Sequence, residues 1–375
     1  MSNKDAKQRP PTALGRALKE YIATHKGATN EKLAAMLDVD PRTISRWKNG
    51  ETILTDPHEL KRIADRLHLP YRQLGIPPTI YAQLNIEDID TTVAQIWAAI
   101  DQVLITDART IGENLLQQIN PQGKISDLTF LRSITQAYNA VAYAVSINVR
   151  TPQVQQALDY YSQMEYFARL LGDETLVNIA LTYQGDMLRR KKDLPLAIEY
   201  LEAARDTTPG ADAIARGNAM QLLGRSYLLT HREQDFLSAM REAEELALAT
   251  NQEWERSVKR YELATVYEEY ARSYSNLGRL QTSLDYLEQA EKVKISNKIN
   301  DLLLRVARAE TLIRGGDIRN GEPLAVQAAI ESREFGHNRH IERLYALKRY
   351  MSKKAVGFSK AERSLGEALE GPLEF

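Results

Sequence analysis

The chain has 375 residues, of which 43% are hydrophobic and 26% charged, with no cysteine and a formal net charge of −1. This composition predicts a globular chain of two or more structural units. It excludes disulfides and thiolate metal sites, and fits a reducing cytoplasm. No apolar run approaches the ~18 residues of a membrane span, and the polar opening "MSNKDAKQRPPT" lacks the apolar core of a secretory signal. The charge is unevenly placed. Residues 1–75 carry 14 Lys/Arg against 9 Asp/Glu, which leaves 35 against 41 for the remainder. A basic head on an acidic body points to a polyanionic partner for the head.

Residues 1–11 read as a disordered tail. Helical spacing then begins, from about Thr12 to His25, with Leu14, Ala17, Leu18, Tyr21 and Ile22 as the apolar stripe and Gly27 closing it. A second helix starts near Thr29–Asn30 and carries Leu33, Ala34, Met36 and Leu37. A third follows after only Asp38 and Val39. Asp40 is its N-cap and Pro41 its first residue, where a missing N–H costs nothing. Arg42 and Arg46, at i and i+4, share one face, while Ile44 and Trp47 point to another. Gly50 ends it, just after Asn49. The fourth helix has Asp56 as cap, Pro57 first and Glu59 third, with Leu60, Ile63, Ala64 and Leu67 inward. A short fifth helix, "PYRQLGI", completes the unit at residue 76. Residues 77–86, with Pro77–Pro78, read as a linker.

From residue 87 to 375 the pattern is helical throughout, in pairs with an internal repeat. Gly185, Ala197, Leu201, Ala204 and Pro209 mark one unit. Leu223, Gly224, Tyr227, Met240 and Ala243 mark the next, and Tyr267, Ala271, Tyr274, Gly278, Leu287 and Ala290 a third. Residues 138–171 and 302–335 fit the same frame, 87–120 form a further pair, and 340–375 are expected to be capping helices or a dimer contact.

The segment "LAAMLDVDPRTISRWKNG", residues 33–50, resembles the helix-turn-helix of the Cro/phage-repressor (XRE) type: Ala34, Val39, Ile44, Trp47 and Asn49–Gly50 fall in register. The paired segments resemble tetratricopeptide repeats. The fold class expected is all-α, a five-helix DNA-binding domain over 12–76 followed by an α-solenoid. The resemblance places Pro41, Arg42, Thr43, Ser45 and Arg46 toward the bases, and Asn30 and Asn49 toward phosphates. Lys48 departs from the pattern, standing where the family often has an acidic residue, and its charge adds an expected phosphate contact. An arginine can donate two hydrogen bonds to guanine O6 and N7.

Stacked helix pairs build a concave face from the first helix of each pair. Those positions read Asn139, Tyr143 and Ser146; Thr182, Tyr183, Asp186 and Arg189; Asn218, Gln221 and Arg225; Glu268, Glu269, Arg272 and Asn276. Amides can bond a peptide backbone and arginines a carboxylate. No phosphate-binding loop, dinucleotide fingerprint or zinc-protease motif occurs, and no set of nucleophile, base and oxyanion hole assembles. No enzymatic activity, cofactor or metal is therefore expected. His337 and His340 in "HNRH" have a ligand-like spacing but read as a surface helix end.

A Cro-type head on a tetratricopeptide body resembles the RRNPP group of peptide-sensing regulators and the related phage arbitrium receptors. The resemblance implies a cytoplasmic homodimer on double-stranded DNA with an inverted-repeat operator, a short peptide in the groove and no membrane contact. The alternative is a DNA-tethered scaffold whose groove holds a protein partner, and a third possibility is a groove closed by the chain itself, for instance by "GEALEGPLEF".

Overall fold

The computed structural model describes residues 12–25, 27–52, 54, 56–67, 69, 71–74, 86–119, 127–250, 261–294, 298–354 and 358–370. The expected tail at 1–11, and the linker up to residue 85, lie outside them. The chain forms two compact units, Met1–Leu84 and Asn85–Phe375. Both are all-α, and no strand occurs among the described residues.

The first unit holds α1 (Ala13–Thr24), α2 (Asn30–Leu37), α3 (Pro41–Asn49), α4 (Pro57–Leu67) and a short 3-10 turn, Tyr71–Leu74. Each of the first three helices starts where its cap dictates. The Thr12 hydroxyl accepts from the Gly15 N–H, Thr29 from Lys32, and the Asp40 carboxylate from Arg42 at 2.7 Å. The α2–α3 turn is tight because Asp38 adopts the left-handed conformation, φ 57°, and the Val39 N–H donates back to Ala34 at 3.0 Å. Aspartate is among the few side chains that tolerate this region.

The C-terminal carbonyls of α2 are taken by α4. Arg62 donates to the Leu37 carbonyl and Arg66 to that of Met36, both at 2.9 Å. Leu14, Leu18, Leu33, Leu37, Ile44, Trp47, Ile63 and Leu67 close into one apolar core. Met36 differs from expectation. It is 44% exposed, because the eight-residue α2 buries only the Leu33–Ala34–Leu37 stripe. At Gly15, α1 meets the end of α3 so closely that a Cβ would stand 2.7 Å from the Trp47 carbonyl.

Among its described residues the second unit contains seven antiparallel helix pairs: α5 (Ile86–Asp101) with α6 (Ile105–Gln118), α7 (Leu128–Asn148) with α8 (Gln155–Leu171), α9 (Glu174–Arg190) with α10 (Leu194–Thr207), α11 (Ala213–Leu229) with α12 (Glu233–Ala249), α13 (Leu263–Asn276) with α14 (Leu280–Val293), α15 (Lys298–Arg314) with α16 (Ile318–Glu334), and α17 (Asn338–Lys354) with α18 (Ser359–Glu370). The small residues sit where helices cross. A Cβ on Gly185 would meet Leu201 at 2.6 Å, and one on Gly224 would meet Met240 at 3.2 Å. Hence the Gly-to-Ala/Leu spacing in the sequence, which lets paired backbones approach.

The array closes on itself. Successive first helices, from α7 to α17, pack side by side, and α17 returns to touch α7. Asn148 on α7 donates to the Gly336 carbonyl at 3.1 Å, the Asn338 side chain donates to the Asn148 carbonyl, and Arg190 on α9 pairs with Glu342 at 3.2 Å. The last pair is therefore more than a cap. α17 seals the inner face, while α18 packs behind it on α16 and α17. "GEALEGPLEF" enters no groove in its described part, which is the end of α18.

Candidate functional site

Two constellations carry functional chemistry, one in each unit.

In the first, α3 presents a cationic face outward. Pro41, Arg42, Arg46 and Asn49 are exposed, Thr43, Ser45 and Lys48 half-buried, and Ile44 and Trp47 anchor the opposite face in the core. Neither the Arg42 nor the Arg46 guanidinium has a hydrogen bond or ion pair among the described residues. The nearest carboxylate in sequence, Asp40, is occupied as the helix cap. Lys48 and Asn30, 18 residues apart, meet: the ammonium donates to the Asn30 side-chain Oδ1 at 2.9 Å. Asn49 donates to Glu51 at 3.3 Å. The helix thus offers two free guanidinium forks, with an ammonium held at its flank.

The second lies inside the repeat unit. A cavity of about 110 Å³ is bounded by the inner helices α7, α9, α11, α13, α15 and α17. Of the residues expected on the concave face, Tyr143, Tyr183, Asn218, Gln221, Arg225, Glu268 and Arg272 line it. Asn139 is buried elsewhere on α7, and Asn276 is exposed at the end of α13. Asp186, Arg189 and Glu269 stand behind the lining as its charge supports.

These charges are almost wholly removed from water. Asp186 accepts from Arg189 at 2.7 and 2.9 Å, with Arg225 and Arg339 at 3.5 and 3.6 Å. Burial pushes the Asp186 carboxyl up, but the guanidiniums of Arg189, Arg339 and Arg225 outweigh it and hold the group far below the usual carboxylate range. Glu269 is clamped by Arg225 and Arg272, which donates at 2.6 and 2.7 Å. Here too burial raises the group and the two arginines more than reverse it. Arg343 bridges Glu268 at 3.0 Å and Glu310 at 2.6 Å. Burial, joined by Tyr143 and Asp186, pushes the Tyr183 hydroxyl up, and Tyr183 stacks on Tyr161 at 5.1 Å and edge-on to Tyr143 at 5.7 Å.

Four lining residues from the last pair escaped the sequence reading: His337, Arg339, His340 and Arg343. The two histidines are not on a surface helix end. They are 3% and 4% exposed, with rings stacked at 3.8 Å, because the ring closure buries the start of α17. The signal was present. Extending the repeat frame past Phe335 makes α17 another first helix, with Arg339 and Arg343 at i and i+4. No group of three or more metal-ligating side chains occurs among the described residues.

Residues 18–74 match the helix-turn-helix family. The first unit is a helix-turn-helix domain. No curated protein matches the chain. Among solved structures, the chain is similar to Bacillus thuringiensis PlcR in complex with the peptide PapR7 and DNA, at 15% identity and a TM-score of 0.39, over 74% of this chain and 93% of that one. That likeness is too loose to transfer anything from it. No helix among the described residues is long and apolar enough to cross a membrane.

Proposed function

We propose that this protein is a sequence-specific DNA-binding transcriptional regulator whose repeat unit senses a ligand, a short signalling peptide, in the inner channel. Two unpaired arginines on an exposed α3 support DNA reading, since a free guanidinium fork matches guanine O6 and N7. The observation that carries the sensing half is a set of buried polar atoms left without a hydrogen bond. Gln221 Oε1 and Arg225 Nη1 have none, although both residues line the cavity and are only 7% exposed. Asn218 Nδ2 interacts with Tyr183 yet completes no hydrogen bond. Such atoms cost stability unless a ligand or ordered water meets them. A cavity of about 110 Å³ does not admit a folded partner, which favours a small ligand over the scaffold role.

A homodimer would place two α3 helices one DNA turn apart, ~34 Å, on an inverted repeat. Ligand binding shifts DNA affinity only by its differential affinity for the two states of the protein. The test is selection of random-sequence DNA by the purified chain. An inverted repeat is expected, with Arg42→Ala losing about 1–3 kcal/mol at one base pair per half-site. Retention without sequence preference that vanishes with added salt would reduce the head to a tether. Equal operator affinity with channel empty and filled would sink the coupling.

A further inference from the structure

We propose that the ligand of the channel carries a carboxylate, and that this group seats between Arg225 on α11 and Arg339 on α17, across the closed array. The proposal rests on the reading of the channel as a ligand site. It follows from matching each charge to its partner. Asp186 is taken by Arg189, Glu269 by Arg225 and Arg272 together, and Glu268 and Glu310 by Arg343. At the closure, Arg190 and Glu342 balance each other. Arg339 is left over. It makes no hydrogen bond among the described residues, and its one ion-pair approach is 3.6 Å to Asp186.

The second half of the seat is Arg225 Nη1. It is buried, has no hydrogen bond and lies 3.5 Å from the other Asp186 oxygen. Both residues line the cavity, one from α11 and one from α17. Cation crowding is visible in the neighbours. Burial, joined by repulsion from Arg225, Arg339 and Arg272, holds the Arg189 guanidinium down to about 10 even with Asp186 attached. Burial and Arg339 lower Arg190 in the same way. Arg339 keeps 27% of its side chain exposed and so is only partly hydrated; a ligand carboxylate relieves the remaining cation crowding through charge-assisted hydrogen bonds. Gln221 Oε1, four residues before Arg225 on α11, remains to accept an N–H from the same ligand.

The C-terminal carboxylate of a peptide and a free organic acid share this chemistry. Because the seat spans α11 and α17, an acid bound there ties the fourth helix pair to the seventh, and so acts on the ring closure itself.

The test uses the full chain and two pools of hexapeptides without Asp or Glu, one with free C-terminal acids and one amidated. Peptides retained through gel filtration are identified by mass spectrometry. Acetate, succinate and citrate are assayed alongside by their shift of Tm. Acid-terminated peptides are expected to bind at least about tenfold tighter than their amides, a difference worth ~1.4 kcal/mol, and Arg339→Gln is expected to erase that preference. A Tm shift by the small acids alone, lost in Arg339→Gln, also supports the seat and assigns a free acid as its source. Equal retention of acids and amides overturns the carboxylate seat while leaving the channel as a ligand site. No retention in either pool and no Tm shift overturns both. The acid–amide comparison needs no variant, so it decides the question even if Arg339→Gln fails to fold.

Discussion

The two units solve opposite problems with charge. In the helix-turn-helix domain every described side chain that is buried is apolar, and its arginines either face solvent, like Arg42 and Arg46, or cap α2, like Arg62 and Arg66. In the repeat unit the interior itself is ionic: Asp186, Glu268, Glu269, Arg190 and Arg225 are all under 9% exposed. A unit that reads a polyanion can leave its cations in water until the partner arrives. A unit that carries charges inside its own ring has desolvated them in advance, and must pair them to fold at all.

The contrast breaks most sharply at Glu269. Glu269→Ala leaves Arg225 and Arg272 buried without their shared carboxylate, so the repeat unit is expected to lose about 3–5 kcal/mol. The helix-turn-helix transition should stay in place. Denaturant unfolding followed through Trp47 in one unit and Trp97 in the other separates them, and an equal loss in both would contradict the assignment.

Acid is the second lever. Asp186 and Glu269 are held far below their ordinary values of 3.8 and 4.5. Their stabilisation is therefore complete above those values and fades as pH falls through them toward the depressed folded ones. The Tm of the repeat unit should drop below about pH 4.5 more steeply than that of the first unit. Parallel curves would show that the buried pairs contribute little.

The first unit should fail by packing instead. Gly15→Ala puts a methyl 2.7 Å from the Trp47 carbonyl, a backbone atom that can move only with α3. A loss of about 1–3 kcal/mol confined to this unit is expected, with weaker operator binding because α3 shifts. Asp40→Ala removes the cap of α3 and should cost about 1 kcal/mol. An unchanged Tm in Asp40→Ala would mean that Pro41 and the turn alone fix the start of the helix.

The helix starts and stops of the first unit were legible because they are local. Thr12, Thr29 and Asp40 cap by bonding N–H groups two or three residues on, and Gly50 ends α3 with a φ of 70° that glycine adopts without strain. The helix pairs were legible for the same reason, since Gly185 and Leu201 are brought together by one antiparallel turn. The pairing of Arg42 and Arg46 on one face required only the 3.6-residue period.

What sequence could not supply is every contact that needs the array to bend round. Arg225 meets Glu269 44 residues away, Arg343 meets Glu268 75 away, and Asn148 meets Gly336 188 away. Each depends on the small rotation between successive helix pairs, one step for Arg225–Glu269, two for Arg343–Glu268 and the whole run from α7 to α17 for Asn148–Gly336, which no local pattern encodes. For that reason the same heptapeptide "HNRHIER", exposed as a helix end in isolation, becomes one wall of the inner cavity. The sequence by itself determined which helices form and which of their faces are polar; only the closure of the ring decided which of those polar faces meet, and so which charges are left for a ligand.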